Sequence, residues 1–187
     1  MDTYLIALAA PVFLSLILGE LIWDWRKKNG SYKFQDSLSN LACGMGSQLT
    51  GLLITPIAAI LYIIVYEQFH IFEMPPTDLS TWAFAMIGVD FCYYWSHRLG
   101  HEWNIFWTFH VVHHQSESYN FSVALRQSWF GGLIMWVFYA VLAIAGIPAE
   151  IFSAALSINL IYQFVIHTES VGTLGPNSVC ITVFVLR

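Results

Sequence analysis

The chain has 187 residues, of which 57% are hydrophobic, 17% aromatic and only 10% charged, with a formal net charge of −5. A soluble globular domain carries about a quarter charged residues, so this composition excludes an ordinary soluble domain. Seven Lys and Arg are too few for a phosphate-binding face, which excludes a nucleic-acid partner.

Five apolar segments, at about 3–23, 41–65, 79–97, 129–147 and 149–167, are long enough for a bilayer-crossing helix, which needs roughly 20 residues. The first has no positively charged start and is longer than the apolar part of a signal peptide, so it reads as a retained span. It is followed by Arg26, Lys27, Lys28 and Lys33. The loop after the second, "YEQFHIFEMPPTDLST", holds Glu67, Glu73 and Asp78 and no Lys or Arg. The third segment leads to Arg98, and Arg126 lies in the long stretch beyond it. Only "AGIPAE" separates the fourth and fifth, which predicts a tight turn, a helix opening at Pro148 and an antiparallel hairpin. With five crossings all seven Lys and Arg, Arg187 included, fall on one side, and the positive-inside rule makes that side cytoplasmic. The expected fold is an all-α, multi-span integral membrane helical bundle, a single domain over 1–187. Its cytosolic face is rich in histidine.

That face is defined by "HRLGHEWNIFWTFHVVHH", residues 97–114, which holds five of the seven histidines. His97 and His101 are four apart, and His110 precedes His113 and His114 by three and four, so on helices each set shares one face. With His167 at the end of the fifth segment, six imidazoles converge on one surface. Imidazole suits Fe, Zn, Cu or Ni and is a poor ligand for Mg or Ca. Six ligands exceed the four of a closed structural zinc site, which leaves two metals, or one metal with spare histidines. A His-Glu-x-x-His zinc protease is excluded, because Arg98 stands where the glutamate base would be. Haem held by two histidines would leave four unexplained. Cys43, Cys92 and Cys180 form no Cys-x-x-Cys pair, so neither a disulfide framework nor a thiolate site is expected.

Other polar residues are weighed against this cluster. His70, with Glu67 in a single Glu-x-x-His, reads as a helix-end residue, since a carboxylate di-iron bundle needs two such pairs on facing helices. Asp90 is an ionisable residue inside a span, two turns before His97, and is expected to support His97 or His101. Glu102, Glu117 and Glu169 lie near the histidines in sequence. Trp95, Trp103 and Trp107 read as an interfacial aromatic belt, with the lining of a site or lipid entrance as the alternative.

These residues resemble the fatty acid hydroxylase and sterol desaturase superfamily. "HRLGH" is similar to its first histidine box, "HVVHH" to its second, and "YQFVIHTE", with His167, to its isolated later histidine. "DFCYYW" and "SESYNFSVALRQS" are similar to the alkylglycerol monooxygenase branch, and the histidine-box region runs over about 88–176. The resemblance implies a membrane-bound, non-haem di-iron enzyme that uses O2 to hydroxylate a membrane lipid. Its iron ligands would be His97, His101, His110, His113, His114 and His167, with no separate general base. The external electron donor would be tetrahydrobiopterin in that branch, and cytochrome b5 or a comparable carrier in others. The membrane would be endoplasmic reticulum or bacterial inner membrane. The family continues after its Gly-Pro with a further box of two His-His pairs, whereas "LGPNSVCITVFVLR" holds no histidine. That departure implies a truncated or frame-shifted chain. It keeps open two alternatives: a catalytically inactive membrane protein that binds lipid or a partner, and a zinc-dependent membrane hydrolase.

Overall fold

A computed structural model describes residues 3–169 and folds them into helices, with no strand among the described residues. The α-helices are α1 (Thr3–Lys27), α2 (Phe34–Phe69), α3 (Leu79–Glu102), α4 (Asn104–His110), α5 (Gly131–Ala145) and α6 (Ala149–Val165). Two short 3-10 helices, His113–Gln115 and Phe121–Leu125, lie between α4 and α5. Each expected apolar segment is a helix. α2 and α3 extend past their expected bounds, α3 by five residues that carry Arg98 and His101.

Helix ends follow local chemistry. Arg26 and Lys27 close α1, where cations complement the helix dipole. The chain then reverses through Lys28 and Gly30, both at positive φ, while Asp24 accepts hydrogen bonds from the backbone N–H of Ser31 (2.9 Å) and Tyr32 (3.3 Å). Gly146 ends α5 at φ +100°, and a Cβ there would lie 1.9 Å from the Phe72 carbonyl oxygen, so the position demands glycine twice over. Leu8–Lys27 and Phe34–Phe69 are long and apolar enough to cross a membrane, by length and composition. α5 and α6, at 15 and 17 residues, are roughly 22–26 Å long, shorter than a hydrocarbon core of about 30 Å.

The core lies where α2, α3, α5 and α6 meet, around Tyr62, Val89, Cys92, Tyr139, Leu142, Ile147 and Ile151. Ala85, Ala143 and Ala155 are fully buried and let the backbones approach closely. Tyr62 stacks on Phe152 at 4.4 Å and donates to the Ile147 carbonyl at 2.9 Å, which ties α2 to the α5–α6 turn. The tight turn is present, yet α5 packs chiefly on α2 and α3 while α6 packs on α3 and α1. The expected hairpin is thus opened, because both of its arms find larger apolar partners in α3 and its neighbours. Gly146, Phe72 and His70 mark one end of the bundle. At the other end the α1–α2 loop meets the segment 111–126 through Lys33–Glu117 (2.5 Å) and Asn120 Nδ2 to the Ser31 carbonyl (2.8 Å).

Candidate metal centre

The last two turns of α3 carry His97 and His101 on one face, with their Nε2 atoms 3.2 Å apart. Trp103 ends α3 and starts α4: its N–H bonds to the Leu99 carbonyl (2.9 Å) and its own carbonyl receives Phe106 N–H (3.0 Å). α4 therefore folds back onto α3, and Gly100 is the point of closest approach, since a Cβ there would lie 3.2 Å from His110 Cγ. His110 Nε2 comes 3.2 Å from His101 Nε2, and His114 Nε2 lies 2.9 Å from His110 Nε2. One nitrogen from each of His97, His101, His110 and His114 falls within a cluster whose members all lie within 4.8 Å of one another.

His113 behaves differently. After His110 the backbone stays in the αR region at Val111 and Val112 and then tightens into the 3-10 turn His113–Gln115. The sequence spacing predicts His110, His113 and His114 on one helical face. The structure divides them instead: His114 joins the four-histidine group, while His113 Nε2 lies 3.1 Å from Nε2 of His167, just past the end of α6.

The outer nitrogens fix the inner ones. His113 Nδ1 is 3.1 Å from the Arg126 carbonyl oxygen, and His167 Nδ1 lies at hydrogen-bond distance from the Gln163 carbonyl. A carbonyl only accepts, so both Nδ1 atoms carry the proton and both Nε2 atoms present lone pairs. Two lone pairs facing each other at 3.1 Å repel unless a cation lies between them. Nitrogens sharing a metal at bonds of about 2.1 Å sit roughly 3.0–3.4 Å apart; His113–His167, His97–His101 and His101–His110 have that spacing, and His110–His114 is slightly closer at 2.9 Å. In the four-histidine group Tyr93 Oη, a hydroxyl that can donate or accept, lies 3.1 Å from His97 Nδ1 and orients that ring. The side chains present therefore fit a metal. Burial, with the neighbouring imidazoles adding to it, pushes His110 down to about 2 and His113 to about 4, and holds His114 below the usual histidine value. All three are neutral near pH 7, the state that ligates metal.

The expected auxiliary residues sort themselves. Asp90 does not reach His97 or His101; it accepts from Asn159 Nδ2 at 3.1 Å. Asn159 in turn accepts from Gln163 Nε2, and the Gln163 carbonyl holds His167. Asp90 thus connects to the pair through α6, because its side chain faces that helix rather than the end of its own. Glu102 pairs with Arg98 (2.8 Å), and Glu117 with Lys33. Glu169 is exposed. Trp107 lines the cluster, its ring 5.7 Å from that of His101 and 5.9 Å from that of His114, whereas Trp95 and Trp103 are exposed. His70 is at the far end, bonded to the Tyr66 carbonyl and Glu73. Sequence reasoning missed Tyr93, Gln163 and Arg126. The first two stand four residues before a histidine, Tyr93 on the same helix as His97 and Gln163 in the last turn of the helix that leads to His167, a readable signal. Arg126 acts through its backbone carbonyl and leaves none.

Fold and site together define a helical protein with a histidine cluster, compatible with metal binding, at one end of an apolar bundle. The family model described as Fatty acid hydroxylase matches residues 82–184, and the chain belongs to that family. It is 44% identical over 169 residues to the alkylglycerol monooxygenase of Danio rerio and 43% identical over 169 residues to that of Homo sapiens. Both alignments cover 90% of this chain and 38% of the relative. The alkylglycerol monooxygenase of Caenorhabditis elegans is 35% identical over 173 residues, 92% of this chain and 32% of the relative. The chain spans less than two fifths of the length of these curated relatives. No solved structure matches it. The Gly-Pro at 175–176, the histidine-free tail after it, Cys180 and Arg187 lie outside the described residues.

Proposed function

We propose that this chain is the histidine-bearing membrane portion of a non-haem di-iron, O2-dependent lipid monooxygenase. The reading is carried by one observation: His113 and His167 turn their Nε2 lone pairs on each other while carbonyls occupy both Nδ1 protons. His97, His101, His110 and His114 would hold one iron, and His113 and His167 would contribute to a second. Iron bound there would supply the O2-activating redox chemistry that C–H oxidation needs. The side chains of this protein do the rest. Tyr93 and the carbonyls of Arg126 and Gln163 orient imidazoles, and burial keeps the histidines of α4 and the turn after it unprotonated.

The substrate is proposed to be a membrane lipid of the alkylglycerol class, by similarity to the named relatives. Hydroxylation would send one oxygen atom of O2 to the lipid carbon and the other to water. The two electrons would come from an external donor, with tetrahydrobiopterin as the proposed reductant. Exposed apolar side chains on α2 (Leu49, Leu52, Leu53), α3 (Phe84, Ile87) and α5 (Val137, Val141) support a multi-pass arrangement in which lipid reaches the centre from the bilayer. The basic α1–α2 loop lies beside the histidines, which supports a cytoplasmic face in endoplasmic reticulum or bacterial inner membrane. The test is metal content of the detergent-purified chain beside a His97→Ala/His113→Ala double variant. About two irons per chain, lost in the variant, are expected; zinc alone, or no metal, would sink the reading. O2-dependent hydroxylation of an alkylglycerol, lost in His113→Ala, is the matching activity readout.

A further inference from the structure

α1 and α2 both precede the residues matched by the family model, yet both reach the histidine end of the bundle through buried charges. Glu20, on an apolar helix and only 8% exposed, gathers three donors from three separate segments. These are Tyr32 Oη (2.6 Å), Phe121 N–H (2.7 Å) and the Thr168 hydroxyl, one residue past His167. Arg126 is 9% exposed and works on the other side. Its Nε donates to the Val112 carbonyl (2.9 Å), the peptide that leads into His113, while its own carbonyl receives His113 Nδ1. Its Nη1 is anchored on α2 by Asp36 (3.1 Å) and Asn40 (2.9 Å), and Ser116 donates to the same Asp36. Asn40 and Asn120 both bond Ser122, which joins the two networks.

Burying a carboxylate and a guanidinium carries a desolvation cost that well-packed apolar side chains would avoid. What the charges supply is direction, and both networks are directed at the chain next to His113 and His167. We propose that Glu20 and Arg126 are positioning residues for the His113–His167 pair, so that α1 and α2 assemble one half of the metal centre in addition to anchoring the chain. This rests on the metal reading above.

The test uses the whole chain in detergent, stripped of metal and titrated with Co2+. Visible absorbance reports each cobalt site, and chelator competition gives its affinity. His110→Ala and His113→Ala identify which cobalt equivalent belongs to which group. Glu20→Ala and Arg126→Met are expected to weaken the equivalent that His113→Ala abolishes by about 10–100-fold, while leaving the other within roughly twofold. Glu20→Gln and Arg126→Lys should recover part of the loss, and they decide the question where the larger changes prevent folding, as judged by helical circular dichroism. Equal weakening of both equivalents would make the networks general scaffold and overturn the proposal, as would unchanged affinity in all four variants. A single cobalt lost alike in His110→Ala and His113→Ala would remove the division on which the proposal stands. No cobalt on the unsubstituted chain would overturn the metal reading itself.

Discussion

His97, His101, His110 and His114 come from eighteen consecutive residues and meet because α4 folds back on the last two turns of α3. His113 and His167 are 54 residues apart and meet because a 3-10 turn and the end of α6 are each held by a backbone carbonyl. The first group is more open, with His101 and His114 exposed; His167, in the second, is buried. The difference teaches where each group is vulnerable. A locally built group fails when helix geometry at α3–α4 is disturbed. A group built from distant segments fails when the loops that carry it lose their anchors.

The largest expected effect separates the two directly. His110→Ala removes the nitrogen that lies next to those of both His101 and His114, so metal at the four-histidine group should be lost while the pair keeps its own. Elemental analysis of the purified variant reads this, and loss of all metal would merge the groups into one site. Gly100→Val comes next. Even the first added carbon would lie 3.2 Å from His110 Cγ, so the branched side chain should push α4 off α3 and weaken metal binding there by about 10–100-fold, with Gly100→Ala milder.

A third prediction concerns pH in the metal-free chain. In the fold His110 is held at about 2 and His113 at about 4, against 6.5 for an ordinary histidine. As pH falls below about 6.5 the unfolded chain takes up protons that the folded chain refuses, so the unfolded state gains. Their contribution is fully present above that pH and is lost as pH falls toward the folded values. Thermal unfolding should therefore shift down between about pH 7.5 and 5, and His113→Ala should flatten the profile. A parent profile already flat over that window would contradict the burial of these imidazoles. The smallest effect belongs to Tyr93→Phe, which removes one hydroxyl from His97 Nδ1. Roughly tenfold weaker cobalt binding at the four-histidine group, with the pair untouched, is expected.

The helices were legible because their apolar runs are long and bounded by Pro, Gly and charge. α1, α3, α5 and α6 begin within two residues of where composition puts them, and Gly146–Pro148 is the turn that "AGIPAE" announces. The candidate ligands were legible too, since a four-residue spacing aligns side chains on any helix, whatever surrounds it. His97 with His101, and His110 with His114, follow from that rule alone. Asp90 shows the limit of the same reasoning: its position inside an expected span marked it as important, but only the packing of α6 on α3 gave it Asn159 as partner.

What the sequence by itself determined is therefore the set of helices, the six imidazoles at one end and the family to which they belong. The tertiary structure decided that His113 leaves its neighbours for His167, that α5 and α6 part around α3, and that Glu20 of α1 and Arg126, anchored on α2 by Asp36 and Asn40, bond to the chain next to that pair. The physical reason is range. Helix periodicity and turn chemistry act within a few residues and leave a pattern in the chain, whereas backbone carbonyl acceptors and buried ion pairs between distant segments exist only once the apolar faces have packed.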